Sequence, residues 1–203
     1  MKKTIINLSI LAILFIAFTS CDSGRSGFSY ERKADNTIGD KVPGVEITFT
    51  SEDSSVSKSV VTDENSYYKI LLDPGRYHVL ASHPDYQTYS NEPGFSVVKA
   101  GKVGTLNIFL KKGGFQGVSY IRNPDGSIGD KISDVNIIFT SEDGSITKSV
   151  TTGAGGQYKI VLDPVRYVVT ASHPGYEPYS SAPGFWVVNE GEFNTGNIFL
   201  TAK

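Results

Sequence analysis

The chain has 203 residues, of which 19 are Lys or Arg and 21 are Asp or Glu, giving a formal net charge of −2 at pH 7. Its cations are scattered singly or in pairs, which excludes the basic footprint that follows nucleic-acid phosphates. A single cysteine excludes an internal disulfide framework, and the length allows one large or two ordinary domains.

The first element in chain order is a signal. "MKKTIINLSILAILFIAFTSC" opens on Lys2 and Lys3, runs apolar from Thr4 to about Thr19, and closes on small residues before Cys21. That pattern predicts a secretory signal peptide over residues 1–20, and no later segment is apolar enough to span a bilayer. The residues "FTSC" resemble the lipobox of bacterial lipoproteins, with Phe18 where an aliphatic residue is usual. The resemblance implies that the thiol of Cys21 receives a diacylglycerol, which consumes a lone cysteine bound for an oxidising compartment. It implies a cell-envelope location, lipid-anchored in the outer membrane and facing the periplasm or the surface, with residues 21–26 as lipidated cysteine and tether. Two or three acyl chains, at about 0.8 kcal/mol per buried methylene, make such an anchor effectively permanent.

The rest of the chain is a duplication. Shifted by 90 residues, "GDKVPGVEITFTSEDSSVSKSV" (Gly39 to Val60) falls on "GDKISDVNIIFTSEDGSITKSV" (Gly129 to Val150), and 45 of the 80 pairs from Glu31 to Leu110 are identical. A period this long marks a repeated domain, since solenoid units run about 20 to 45 residues. We place the domains at residues 27–111 and 115–203, joined by a linker at 112–114.

Within each copy the apolar residues alternate, as half-buried strands require. Val45, Ile47 and Phe49 share one face of "VEITFT", and Tyr68, Ile70 and Leu72 share one face of "YYKILL". Seven strands are predicted in the first copy, near 26–31, 44–51, 56–62, 67–72, 76–82, 95–99 and 104–110. Turn-forming "DENS", "GAGG", "DPG" and "EPG" connect them. No segment after Cys21 has helical periodicity. The predicted fold is all-β, two tandem seven-stranded sandwiches.

The run "TDENSYYKILLDPGRYHVLASHPDY" (Thr62 to Tyr86) and its echo "TTGAGGQYKIVLDPVRYVVTASHPGY" (Thr152 to Tyr176) resemble the carboxypeptidase regulatory-like domain. The resemblance implies a transthyretin-like, immunoglobulin-like sandwich. Each copy departs once or twice from the family pattern: Ser66 and Asp85 stand where glycine is usual in the first, and Val165 follows Pro164 in the second.

The family name invites a peptidase reading, but the residues give none. A zinc carboxypeptidase needs a His and a Glu close together plus a distant His, so that three ligands leave a place for water. None of His78, His83 and His173 has a glutamate three positions on, and no GxSxG elbow occurs. His83 and His173 are expected to cap strand ends rather than hold a metal. The acidic loops at Ala34–Asp40, Asn123–Asp130 and Ser141–Ser145 carry oxygen ligands but not the EF-hand spacing, and turn chemistry accounts for them. No cofactor or metal is expected.

What remains is aromatic. Tyr86 and Tyr89 in the first copy, and Tyr176, Tyr179 and Trp186 in the second, sit in proline-stiffened loops that could stack on sugars or anchor a protein partner, although the resemblance implies that Tyr86 and Tyr176, at the family's Gly-Tyr position, pin their loops against the sandwich. Ser96 occupies the place of Trp186 in the first copy, so that position need not be core, and an exposed Trp186 stands as an open alternative to a packed one. The expectation is a non-enzymatic envelope lipoprotein, held to the membrane by its anchor and acting as a protein-interaction or structural module. The alternative is carbohydrate binding through the aromatic loops.

Overall fold

In the computed structural model residues 22–203 are described, so the predicted signal peptide and Cys21 lie outside the described residues. Ten strands follow one another in the first copy: β1 (Gly24–Arg32), β2 (Ile38–Lys41), β3 (Glu46–Ser51), β4 (Ser57–Val61), β5 (Tyr67–Leu71), β6 (Gly75–Ser82), β7 (Tyr89–Ser90), β8 (Ser96–Val98), β9 (Val103–Thr105) and β10 (Ile108–Leu110). The second copy repeats them, from β11 (Gly114–Arg122) to β20 (Ile198–Leu200).

These ten strands fill seven positions. One sheet runs β4, β3, β6, with β7 and β8 in line along the far edge of β6. The other is built on β1, which carries β5 and β2 in line on one side and β9 and β10 on the other. The apolar faces of both sheets close on one core, in which Val45, Ile47, Phe49, Ile108 and Leu110 are fully buried. Two of the ten strands escape an alternation-based reading: β2 is the exposed "IGDK", and β7 is two residues long. The predicted strand at 104–110 is broken in the middle, because Asn107 turns its side chain inward to accept from the Phe28 N–H (3.0 Å) and Leu106 N–H bonds Ser26 C=O (2.8 Å).

The motif residues supply the polar struts of this core. Thr62 accepts from the Val45 N–H (2.9 Å), and Thr152 from the Val135 N–H (3.0 Å). The phenols of Tyr68 and Tyr158 donate to the carbonyls of Leu106 (2.8 Å) and Gly196 (2.5 Å), and burial pushes both upward in pKa. Tyr77 and Tyr167 each reach back four residues, to Asp73 C=O (3.0 Å) and Asp163 C=O (3.2 Å). A buried hydroxyl with a partner costs little, whereas an orphan costs about 1–3 kcal/mol.

Strand direction then decides how the copies join. β1 runs parallel to β9 and β10, the last strands of its sandwich, so the chain comes in at one pole and leaves at the opposite one. β11 stands in the same relation to the last two strands of its own sandwich. The two sandwiches therefore stack end to end.

Candidate functional site

The five aromatic candidates are each engaged with their own sandwich. Tyr86 is 9% exposed; its ring meets His83 edge-on at 5.3 Å, Lys112 lies over it at 4.7 Å, and its hydroxyl donates to Glu31 (3.3 Å). Tyr176 pairs with His173 in the same way, at 5.1 Å, and packs against the second core together with Tyr179. Tyr89 is half-buried against the first core. Trp186, on a two-residue strand with Val187, packs at 4.9 Å from Phe115 and 6.1 Å from Phe139.

Of the two settings open to Trp186, the structure has the packed one: the ring is half-buried against the second core. Ser96 does not show its place to be surface, because a second position compensates: Leu106 in the first copy is Gly196 in the second. A Cβ on Gly196 would come within 2.2 Å of the Trp186 ring. Serine with leucine and tryptophan with glycine fill the same space.

The histidines and acidic loops are local turn devices. His83 Nδ1 accepts from the Asp85 N–H (3.1 Å) and His173 Nδ1 from the Gly175 N–H (3.2 Å), just past the ends of their strands. Asp53 accepts from the hydroxyls of Ser51 (2.6 Å) and Ser55 (2.8 Å) and from the Ser55 N–H (3.1 Å), which hold its carboxyl down at about 2. Asp143 repeats this with Ser141 and Ser145, also at about 2. Asp35 and Asp125 are lowered by Thr37 and Ser127. Among the described residues no three His, Cys, Asp or Glu side chains gather as a metal would need.

The polar cluster that joins distant parts of the chain lies between the sandwiches. Gln87, next to Tyr86, is 2% exposed, yet it belongs to the first copy and its side chain is satisfied entirely by the second. Its Nε2 donates to the carbonyls of Leu162 (2.8 Å) and Asn189 (3.3 Å), and its Oε1 accepts from the Gly191 N–H (2.7 Å). Beside it the Thr88 N–H donates to Asp163 Oδ1 (2.7 Å) and the Thr88 hydroxyl to Oδ2 (3.2 Å), bonds strengthened by the carboxylate charge. Lys111 and Glu190 make an ion pair at the rim, 3.2 Å apart. Gly113 has to be glycine here: a Cβ would stand 2.6 Å from Gln87 Nε2 and 2.8 Å from the Glu192 carbonyl.

The other two poles show what is particular to this junction. In the second copy Gln87 and Thr88 become Glu177 and Pro178, both exposed. Ionised glutamate has no donor to offer, and proline has no N–H. At the leading pole of the first sandwich the socket is closed locally, since Ser23 Oγ accepts from the Gly101 N–H (2.9 Å) just as Gln87 accepts from Gly191. Sequence reasoning missed Gln87, Thr88 and Asp163. The available signal was that "QT" and "EP" differ inside a stretch the copies otherwise largely share.

The carboxypeptidase regulatory-like domain model matches residues 34–111 and again 121–201. No curated protein matches the sequence. Among solved structures, the minor pilin GBS52 of Streptococcus agalactiae is similar over 89% of this chain and 96% of its own, at 11% identity and a TM-score of 0.49. The shaft pilin SpaA of Lactobacillus rhamnosus GG, as an E269A/D295N double mutant, is similar over 90% of this chain and 98% of its own, at 9% identity and a TM-score of 0.40.

Proposed function

The chain belongs to the carboxypeptidase regulatory-like domain family, and from that premise we propose that it is a non-enzymatic cell-envelope lipoprotein, anchored through Cys21, whose two sandwiches act as one rigid spacer and protein-interaction module. The observation that carries this reading is the Gln87 clasp. Two domains joined by a linker of three residues would otherwise swivel, and relative motion is the default for small polar interfaces. Here a buried amide makes three hydrogen bonds and Thr88 two more across the junction, each contributing about 1 kcal/mol net, and the glycine beside them admits the close approach. With leading and trailing poles opposed, such a clasp holds the far end of the chain at a fixed distance from its start. The sequence offers no catalytic constellation to set against this, and the aromatic loops are spent on the sandwiches themselves.

Two measurements test the proposal. Metabolic labelling with a fatty acid should mark the wild-type chain and not Cys21→Ala; label persisting in the variant contradicts the anchor. Cross-linking in intact cells should recover envelope proteins attached to the outer, second sandwich, and recovery of the uncross-linked chain alone contradicts an interaction role.

A further inference from the structure

At the leading pole of the first sandwich lies a concavity of about 450 Å³ with three cations on its wall, Arg25, Lys99 and Lys102, and no carboxylate. We propose that it takes the phosphate group of an anionic lipid headgroup in the leaflet to which the chain is anchored. The proposal deepens the reading above by naming what the anchored pole touches.

Its position comes first. Ser23 is bonded into the wall, with its hydroxyl accepting from the Gly101 N–H (2.9 Å), and the Gly24 N–H donates to the Lys102 carbonyl (3.2 Å). Only two peptide steps separate Ser23 from Cys21, a reach of at most about 7 Å. A lipid on Cys21 therefore sets this concavity at headgroup level.

The charges are not neutralised within the protein. Among the described residues none of the three cations is in an ion pair. Arg25 gives one guanidinium nitrogen to the Val97 carbonyl, while its Nε is buried with no partner in the protein. Gly104 leaves the room that the guanidinium uses, since a Cβ there would stand 2.4 Å from Nη1.

The duplication supplies a control. The second copy carries Phe115, Asn189, Glu192 and Asn194 where the first has Arg25, Lys99, Lys102 and Gly104, so three positive charges become one negative. Asn194 even takes over the backbone partner, donating to Val187 C=O (2.8 Å) where Arg25 donates to Val97. In the second copy this pole faces the first sandwich, through Asn189 and Gly191. In the first copy Ser23 takes up the Gly101 N–H at this pole, while the second sandwich is bonded to the opposite one. The cations thus stand only on the copy whose pole faces the anchor. They do so in a chain of net charge −2, which an anionic surface would otherwise repel.

The test uses residues 22–203, which contain both cores in full and lack Cys21, so its outcome does not depend on lipidation. Co-sedimentation is measured with vesicles of phosphatidylcholine alone and with about 30% phosphatidylglycerol, where each surface lysine contributes about 1 kcal/mol. Binding should rise with the anionic lipid, fall with salt, and drop about tenfold or more in Lys99→Gln/Lys102→Gln, whose side chains are exposed and leave the fold intact. Arg25→Gln should weaken it further, and Lys131→Gln/Lys203→Gln, on the second sandwich, should leave it unchanged. Equal binding to both vesicles, or equal loss in the two lysine pairs, overturns the proposal. So does release by millimolar inorganic phosphate at constant ionic strength, which would make free phosphate the ligand.

Discussion

At the scale of single residues, the copies show how much of the backbone is fixed independently of side chain. Among the described residues four that are not glycine adopt a left-handed φ: Asn36 (64°), Ser54 (58°), Ser66 (64°) and Asp134 (58°). Each has a glycine in the other copy with the same sign, at Gly126, Gly144, Gly156 and Gly44. Ser66 is the costly case, because it is 1% exposed and its hydroxyl has no partner. Ser66→Gly removes a left-handed penalty of about 1–2 kcal/mol and a buried orphan, against a smaller loss from the freer unfolded chain. We expect a net gain of about 1 kcal/mol, read as a higher midpoint in urea; a lower midpoint refutes the account. Gly156→Ser should do the reverse, since its Cβ would lie 3.1 Å from two carbonyl oxygens. The acidic turns predict a pH effect of definite sign. Asp53 and Asp143, held at about 2, lie below an unfolded value near 4, so their contribution is present above pH 4 and lost as pH falls towards 2. NMR titration of the two carboxyl carbons should show no protonation at pH 4; midpoints near 4 would contradict the turn geometry.

At the scale of elements, Trp186, on the edge of one sheet, and Gly196, between two strands of the facing sheet, form one packing unit. Trp186→Ser alone empties the space beside Phe115 and Phe139 and should cost about 3–5 kcal/mol. Adding Gly196→Leu rebuilds the arrangement of Ser96 and Leu106 in the first copy and should recover 1–3 kcal/mol, a coupling that a double-mutant cycle in denaturant measures. Strictly additive losses would contradict the compensation. The same pair shows what is legible in a sequence. Strands whose alternation is set by burial on one side, such as β3 and β5, were placed to within two residues, as was the tandem sandwich itself. The break at Asn107 was not, because it depends on one inward side chain, and neither was the setting of Trp186, because its partner position is ten residues away. The loop-pinning of Tyr86 and Tyr176 follows from their place in the family pattern, whereas Tyr89 and Tyr179 look alike in sequence whether their rings face solvent or, as here, pack on a core.

At the scale of the whole molecule, the duplication is symmetric in fold and asymmetric in its poles. The leading pole carries the cations, the junction carries the amide plug, and the trailing pole ends on Glu177 and Pro178, which cannot repeat the plug. The chemistry at each pole thus differs while the sandwiches between them share 45 of 80 residues. Because Gln87 is a buried side chain of the first sandwich whose amide nitrogen and oxygen are both bonded by the second, its removal should free the domains without unfolding either. The most direct test of the rigid two-domain spacer is amide-nitrogen NMR relaxation on residues 22–203 and on Gln87→Ala. We predict one correlation time for both sandwiches in the wild type, that of the whole chain, splitting into two shorter ones in the variant. Two independent, shorter correlation times in the wild type would contradict the account.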